Sequence, residues 1–134
     1  MIKMWKHSLI LVVDDEPDTV NLAKRLLEME GFRVITASDG ESALKSIYEK
    51  RPDLVLLDIK IPKIDGYEVC KKIKNDPELK DTIVIMFTAK VFEKDRKKGL
   101  ESGANEYITK PFSGDELINL IKKYIAYKQK LSES

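Results

Sequence analysis

Three carboxylates stand directly after two short apolar runs of the sequence. Asp14 and Asp15 follow Leu9–Val13, and Asp58 follows Leu54–Leu57. If the two runs form neighbouring parallel strands, their carboxyl ends meet at one edge of a sheet and the three acids share one crevice. Crowded carboxylates repel one another, and a hard divalent cation relieves that repulsion. Mg²⁺ is the natural candidate, because it takes one or two carboxylates, retains water and often shares a substrate phosphate.

A hydroxyl and an amine end two later apolar runs. Thr88 directly follows Ile83–Phe87, and Lys110 comes two residues after Tyr107–Ile108. One aspartate after a strand is most simply a cap or a turn residue. Adjacent carboxylates that share an edge with a hydroxyl and an amine instead favour a functional cation site, because such a pair of acids costs stability without a cation.

The elements that would position these groups alternate along the chain. Several apolar runs lack polar alternation, which is typical of parallel strands covered on both faces. The predicted strands are Leu9–Val13, Val34–Ala37, Leu54–Leu57, Ile83–Phe87 and Tyr107–Ile108. Prolines, N-cap residues and glycines bound the helical patterns between them. The predicted helices run from Pro17 to Gly31, over Glu41–Glu49 after Asp39, from Asp65 or Gly66, over Phe92–Ser102, and from Ser113 or Asp115.

Five consecutive strand–helix units predict an α/β fold. Right-handed crossovers give a (βα)5 doubly wound, five-stranded parallel sheet of the flavodoxin-like type, in the order 2-1-3-4-5. That order makes the first and third strands neighbours at the topological switch point, as the shared crevice requires. No linker or repeat interrupts residues 1–134, so we expect a single domain with a core over about 8–127 and a frayed polar tail over 128–134.

Bulk properties exclude several classes of protein. The chain has 134 residues and a formal net charge of +1, which gives no reason to expect nucleic acid or an anionic membrane as a partner. Cys70 is the single cysteine, which excludes an internal disulfide and suits a reducing cytoplasm. The apolar run Ser8–Val13 is too short for a signal peptide or a membrane span. We therefore expect a cytoplasmic protein.

Four ordered blocks of the sequence resemble the receiver-domain family of two-component response regulators, in its stand-alone, chemotaxis-regulator-like form. The blocks are LILVVDDEP, PDLVLLDIKIPKIDGYEVCKKIK, IVIMFTAK and GANEYITKPF. The resemblance extends from about Leu9 to about Ile125, nearly the whole chain. It implies a phosphorylation-activated signalling switch that assists its own phosphorylation and dephosphorylation but is not an enzyme toward other molecules.

The resemblance also implies roles for individual residues. Asp58 would be the phosphoacceptor. Asp15, Asp58 and the backbone carbonyl of Lys60 would bind Mg²⁺, and Asp14 would act through water. Three groups would hold the phosphoryl group: Thr88, the backbone amide of Ala89, and Lys110. Tyr107, on the fifth strand, would be the aromatic residue that changes position on phosphorylation. The Lys110–Pro111 bond matches a cis peptide of the family, an isomer that X–Pro bonds adopt readily.

A sensor histidine kinase, or a phosphotransfer protein, is the phosphodonor that the resemblance implies. The output surface would comprise the fourth predicted helix, the fifth strand and the last helix, and would bind a downstream protein rather than nucleic acid or membrane. On that fourth helix, a cationic cluster is most simply a solvated face, and the alternative that we predict is contact with an acidic partner patch: Lys94, Arg96, Lys97 and Lys98. The protein is expected to be a monomer before phosphorylation.

Departures from the family pattern bear on dimerisation and on phosphoform lifetime. Asn105 and Glu106 replace two aspartates that many members have, and the last helix lacks an arginine near its start, so the symmetric dimer of many DNA-binding regulators is in doubt. Lys60 and Lys90 occupy variable family positions, and we hypothesise that two cations there prolong the phosphorylated state.

Other functions fit the sequence less well. A haloacid dehalogenase-type phosphatase needs a second carboxylate two residues after the nucleophile, where this chain has Lys60. A flavodoxin-like cofactor binder needs a Gly/Ser/Thr-rich loop after the first strand, where residues 14–18 are mostly acidic. A degenerate receiver would have lost acceptor-site residues, and here all are present. A phosphorelay intermediate and the receiver portion of a longer DNA-binding regulator both stay open.

Overall fold

The structure, a computed structural model, describes residues 7–89 and 92–132. Five strands and five helices alternate along this part of the chain. The strands are β1 (Leu9–Val13), β2 (Arg33–Ala37), β3 (Leu54–Leu57), β4 (Ile83–Thr88) and β5 (Glu106–Thr109). The helices are α1 (Pro17–Met29), α2 (Gly40–Lys50), α3 (Gly66–Asn75), α4 (Glu93–Glu101) and α5 (Gly114–Ser132).

The strands form one parallel sheet in the order β2-β1-β3-β4-β5, which confirms the predicted topology. In the register of β1 and β3, Val13 lies opposite Leu57. The residues that follow these two positions therefore leave the sheet at the same level. The predicted juxtaposition of the acids after β1 and β3 is a direct consequence of this register.

Hydrophobic side chains fill both faces of the sheet. Ile47, Val69 and Ile73 of α2 and α3 pack on one face, and Leu27 of α1 and Ile121 of α5 pack on the other. All residues of β3 and β4 are buried, whereas β2 at the sheet edge is partly exposed. Burial of one large aliphatic side chain contributes roughly 1.5–3 kcal/mol, so these two layers supply most of the stabilisation that holds the strand ends in place.

Helix α4 is attached differently from the other helices. Of its residues, all within the described part of the chain, Gly99 alone is buried. A Cβ at Gly99 would lie 3.1 Å from a ring carbon of Tyr107, so the absent side chain lets the helix backbone rest against that ring. With a single buried position, α4 has less apolar anchoring than its neighbours and is the helix that is most easily displaced.

Helix α5 continues into the segment 128–134 that was predicted as a frayed polar tail. The helix continues to Ser132, and Lys128 Nζ lies 3.2 Å from the carbonyl oxygen of Asp53 and 3.6 Å from its carboxylate. The Asp53 carboxylate also accepts a hydrogen bond from the amide of Leu9, at 2.8 Å. This non-local anchor extends the helix beyond the point where its apolar pattern ends.

No described helix is both long enough and apolar enough to cross a bilayer.

A second lysine ties elements together at the same amino edge of the sheet. Lys74 Nζ donates to the carbonyl oxygen of Thr82 at 2.7 Å and to Asn105 Oδ1 at 2.8 Å. Asn105 Oδ1 also accepts from the amide of Val84 at 2.9 Å. Burial lowers the pKa of the Lys74 ammonium. The amino edges of β4 and β5 are thus joined to α3 by one polar cluster.

We expect Gly66→Ala to destabilise the fold. An added Cβ would lie 2.5 Å from the carbonyl oxygen of Asp58 and 2.7 Å from Cα of Ile59, both backbone atoms that cannot move away without displacing the end of β3. Overpacking of this kind costs about 1–3 kcal/mol. Urea unfolding followed by circular dichroism measures the difference from the wild type.

Gly114→Ala is the matched control for this substitution. Its Cβ would meet only methyl groups of Leu26 at 3.5 Å, which is ordinary contact. We expect its free energy of unfolding to stay within about 0.5 kcal/mol of the wild type. Equal stability of the two variants would contradict the close approach at Gly66.

Candidate metal centre

The ends of β1 and β3 place three carboxylates in one crevice. The amide of Asp14 donates to the carbonyl oxygen of Ala37 at 3.2 Å, and the amide of Asp58 donates to that of Val13 at 3.0 Å. Asp14, Asp15 and Asp58 each offer one oxygen that lies within 4.8 Å of the other two. Asp14 and Asp58 are 1% and 5% exposed, and Asp15 is exposed. The side chains predicted to share a cation therefore meet, two inside the crevice and one at its rim.

Lys110 bridges the two buried acids. Its Nζ lies 2.5 Å from Asp14 Oδ2 and 3.0 Å from Asp58 Oδ2. Burial alone would lower the pKa of this ammonium, but the hydrogen bonds and the charges of the two carboxylates outweigh burial and raise the pKa. Lys110 therefore keeps its positive charge in the crevice. Its amide donates to the carbonyl oxygen of Thr88 at 2.8 Å, and its peptide bond to Pro111 is cis.

An aromatic ring supports the lysine, and the sequence did not reveal it. Lys110 Nζ lies 4.8 Å from the ring centroid of Phe87, a cation–π distance. The ring of Phe112 lies 6.2 Å from that of Phe87. Phe87 was predicted only as a strand residue, and the available signal was its position directly before Thr88. The ammonium is thus held between two carboxylates and an aromatic face.

The donor set fits a hard dication. Three carboxylates (−3) and one ammonium (+1) give the crevice a formal net charge of −2, which one divalent cation would neutralise. Asp14 already accepts at both oxygens, from the amide of Glu16 at 3.0 Å and from Lys110. No described residue donates a hydrogen bond to Asp15, and Asp58 Oδ1 has only a long contact of 3.4 Å with the Lys60 amide. Asp15 and Asp58 therefore have the oxygens suited to direct ligation, and Asp14 suits a water-mediated role.

The other predicted site residues lie at the same edge, except for Tyr107. Thr88 is 2% exposed at the end of β4, and Ala89 follows it with an exposed position. The side chain of Lys60 is exposed beside the crevice. Lys90, to which we assigned an influence on phosphoform lifetime, lies outside the described residues. The contributions of the Lys60 carbonyl and the Ala89 amide stay predictions.

Tyr107 lies under α4 rather than among the acids. It is 5% exposed. Burial raises the pKa of its phenol to about 12, with smaller contributions from Tyr67 and Asp95. The ring packs beside Gly99, while Arg96 Nη1 approaches the Tyr107 carbonyl oxygen at 3.5 Å. An aromatic side chain on the strand next to Thr88 is therefore in direct contact with the most weakly anchored helix.

Comparison with known proteins agrees with this geometry. The model of the response regulator receiver domain family matches residues 10–122. The chain is 49% identical over 113 residues to the alkaline phosphatase synthesis transcriptional regulatory protein PhoP of Bacillus subtilis (strain 168), an alignment that covers 84% of this chain and 46% of PhoP. The chain spans less than half the length of the curated relatives that it matches.

Solved structures show the same fold. A response regulator from Chloroflexus aurantiacus J-10-fl has a TM-score of 0.86 and 36% identity, covering 90% of this chain and 99% of the other. A CheY-like receiver domain protein from Methanospirillum hungatei JF-1 has a TM-score of 0.87 and 30% identity, covering 93% and 98%. With a family model that spans most of the sequence and an acid crevice at the expected strand ends, the chain belongs to the response regulator receiver domain family.

Proposed function

We propose that this receiver domain is a signalling switch whose Asp58 accepts a phosphoryl group from a sensor histidine kinase or a phosphotransfer protein. The observation that carries the proposal is the position of the Asp58 carboxylate, which lies 3.0 Å from Lys110 Nζ and within 4.8 Å of Asp14 and Asp15. Asp58 thus lies beside an ammonium, and a cation held by the acids would add the further positive charge that phosphoryl transfer needs.

In the proposed step, an Asp58 carboxylate oxygen attacks phosphorus and forms an acyl phosphate. The bond from phosphorus to the donor breaks at the same time, either the P–N bond of a phosphohistidine or the P–O bond of a small acyl phosphate. The electron pair leaves with the imidazole or the carboxylate, and the imidazole takes up a proton from water. Lys110 would move its ammonium from the free carboxylate to a phosphoryl oxygen, and Thr88 would donate its hydroxyl to another.

Asp15, Asp58 and the Lys60 carbonyl would hold Mg²⁺, with Asp14 acting through water. When bound, the cation supplies charge neutralisation and a fixed geometry for the phosphoryl oxygens. The residues of this chain supply the remaining order: the amide contacts of Asp14 and Asp58 fix the carboxylates to the sheet, and the Phe87 ring keeps Lys110 in the crevice. We propose that the domain is not an enzyme toward other molecules; haloacid dehalogenase-type phosphatase chemistry in particular would lack its second acid, because Lys60 stands two residues after Asp58.

The signal would leave the site through Thr88, Tyr107 and α4. A groove of about 630 Å³ lies between α4, β5 and α5, with Arg96, Tyr107 and Lys123 among its lining residues. Reversing a switch from 1:99 to 99:1 requires roughly 5.5 kcal/mol of differential interaction, which two or three charge-assisted hydrogen bonds at about 1.5–3 kcal/mol each would supply. We propose this groove as the surface through which a downstream protein reads the phosphorylated state.

We also propose a cytoplasmic location for the domain and a second candidate role. The single cysteine, Cys70, is fully buried, which suits a reducing cytoplasm. The matched PhoP is a transcriptional regulatory protein more than twice the aligned length, which favours as a second candidate function the receiver portion of a longer DNA-binding regulator. In either role the phosphoacceptor chemistry at Asp58 is the same.

Acetyl phosphate with Mg²⁺ should phosphorylate the wild type and not Asp58→Asn, because the amide lacks the nucleophilic oxygen charge. Intact-mass spectrometry should show the addition of one phosphoryl group to the wild type, and hydroxylamine should remove it as expected for an acyl phosphate. Asp18→Asn is the control, since Asp18 is an exposed acid in the first turn of α1. A phosphoryl group on Asp58→Asn at wild-type yield would rule out Asp58 as the acceptor.

Mg²⁺ should stabilise the fold through the three acids. At about a hundred times its dissociation constant, the cation should raise the free energy of unfolding by about 2.7 kcal/mol through mass action. Asp15→Asn should lose most of this gain, whereas Asp18→Asn should retain it. Urea unfolding in MgCl₂ and in NaCl of equal ionic strength makes the comparison. The metal assignment fails if the gain is the same for Asp15→Asn as for the wild type.

The environment of Tyr107 should change on phosphorylation, because Thr88 would move toward the phosphoryl group and free space beneath α4. Fluorotyrosine labelling and ¹⁹F NMR should show a shifted Tyr107 resonance after addition of acetyl phosphate and Mg²⁺. In Thr88→Ala the shift should be absent although Asp58 is still phosphorylated. Tyr127, which is 56% exposed on α5, provides an internal reference. An equal shift in Thr88→Ala would disprove the coupling.

A further inference from the structure

A second groove, of about 570 Å³, lies between α3 and α4. Its lining is mostly cationic and comprises Lys71, Lys94, Lys97, Lys98, Glu101 and Ser102. Lys71 comes from α3 and the other three lysines from α4, so two separate elements present ammonium groups to one depression. This α3–α4 groove shares no lining residue with the α4–β5–α5 groove proposed as the output surface.

Lys94 is placed against the stability of its own helix, whereas Lys97 forms an i,i+4 ion pair with Glu101 and Lys98 lies in the last turn, where the helix dipole favours a cation. Lys94 precedes Lys97 by three residues and Lys98 by four, and such like-charge pairs destabilise a helix by about 0.2–0.5 kcal/mol each. Lys94 is also the second residue of α4, next to the positive end of the helix dipole. Helix α4 has little apolar anchoring to offset these costs. The charge of Lys94 therefore weakens the helix that bears it, and binding explains that charge better than folding does.

Contacts hold the ammonium groups over the groove without burying them. Lys98 Nζ lies 4.5 Å from the ring centroid of Tyr67, whose hydroxyl donates to the carbonyl oxygen of Asp95 in α4 at 3.4 Å. Lys97 lies 4.0 Å from Glu101, and Lys71 lies 3.7 Å from Glu68. Both of these pairs are at the surface, where an ion pair contributes about 0–1 kcal/mol, so an incoming carboxylate displaces either one at little cost.

We propose that the α3–α4 groove binds an acidic, extended segment of a partner protein. Four ammonium groups against one carboxylate in the lining give the charge complementarity. Phe92, which is 66% exposed at the start of α4, offers an apolar contact beside the cations. Nucleic acid suits the groove less well, because Glu68 and Glu101 interrupt the cationic surface and the net charge of the chain is only +1. The proposal is independent of the phosphoacceptor chemistry at Asp58.

The test uses the unphosphorylated full chain and a fluorescein-labelled peptide of alternating glutamate and glycine, followed by fluorescence anisotropy. Lys94→Gln/Lys97→Gln should weaken binding roughly threefold to tenfold, because it removes two exposed charge contacts. The control is Lys45→Gln/Lys50→Gln, which removes the same charge from exposed positions of α2 and should leave the affinity within about twofold of the wild type. Equal losses in the two variants, or no binding by the wild type, would overturn the proposal.

Two further measurements separate this site from its alternatives. A single-stranded DNA oligonucleotide of the same charge should bind more weakly than the peptide, and stronger binding would overturn the choice of a protein partner. Thermal unfolding of Lys94→Gln should show a midpoint equal to or above that of the wild type, because the variant removes repulsion from Lys97 and Lys98. A clearly lower midpoint would show that Lys94 supports the fold, and would remove the argument that its charge serves binding.

Discussion

The structure depends on electrostatic repulsion that the sheet imposes on three carboxylates. The register of β1 against β3 brings Asp14 and Asp58 into one crevice, and their backbone amides are fixed by sheet carbonyls, so neither acid can withdraw. Lys110 neutralises part of this charge and is fixed in turn by the Thr88 carbonyl and the Phe87 ring. The crevice keeps an excess of negative charge, which a bound cation would neutralise. In the proposed function, cation binding at this crevice relieves the repulsion among the three carboxylates.

The same edge is connected to the part of the molecule that is easiest to move. Thr88 ends β4, Tyr107 lies on the adjacent strand, and its ring supports α4 at Gly99. Helix α4 has one buried residue, so small changes beneath it should alter its position at low cost. In the proposed switch, the acid crevice would respond to phosphate, and the loosely held helix α4 would carry the change to other proteins.

The sequence predicted the strands and the acids well, for a physical reason. Buried parallel strands such as Leu54–Leu57 are apolar throughout, and the polar residues at their ends have one edge to occupy, so local pattern and topology together determine the crevice. Contacts between distant residues were not predictable in this way. The pairing of Lys128 with Asp53 lies past the apolar pattern of α5, the ring of Phe87 supports Lys110, and the ring of Tyr107 packs beside Gly99 of α4. Each depends on which side chains meet across elements, and a local pattern carries no such information.

The lysine contacts at the amino edge of the sheet give the molecule two mechanically unequal ends. Lys74 joins α3 to the beginnings of β4 and β5 through Asn105, and Lys128 joins α5 to the beginning of β3. These contacts lie at the opposite ends of the strands from the acids, so they hold the amino ends of the strands in place. A displacement that starts at the crevice should therefore decrease toward the amino ends of the strands and be largest at their carboxyl ends, where α4 begins. The sheet would then be fixed at the amino ends of its strands and would move most at their carboxyl ends.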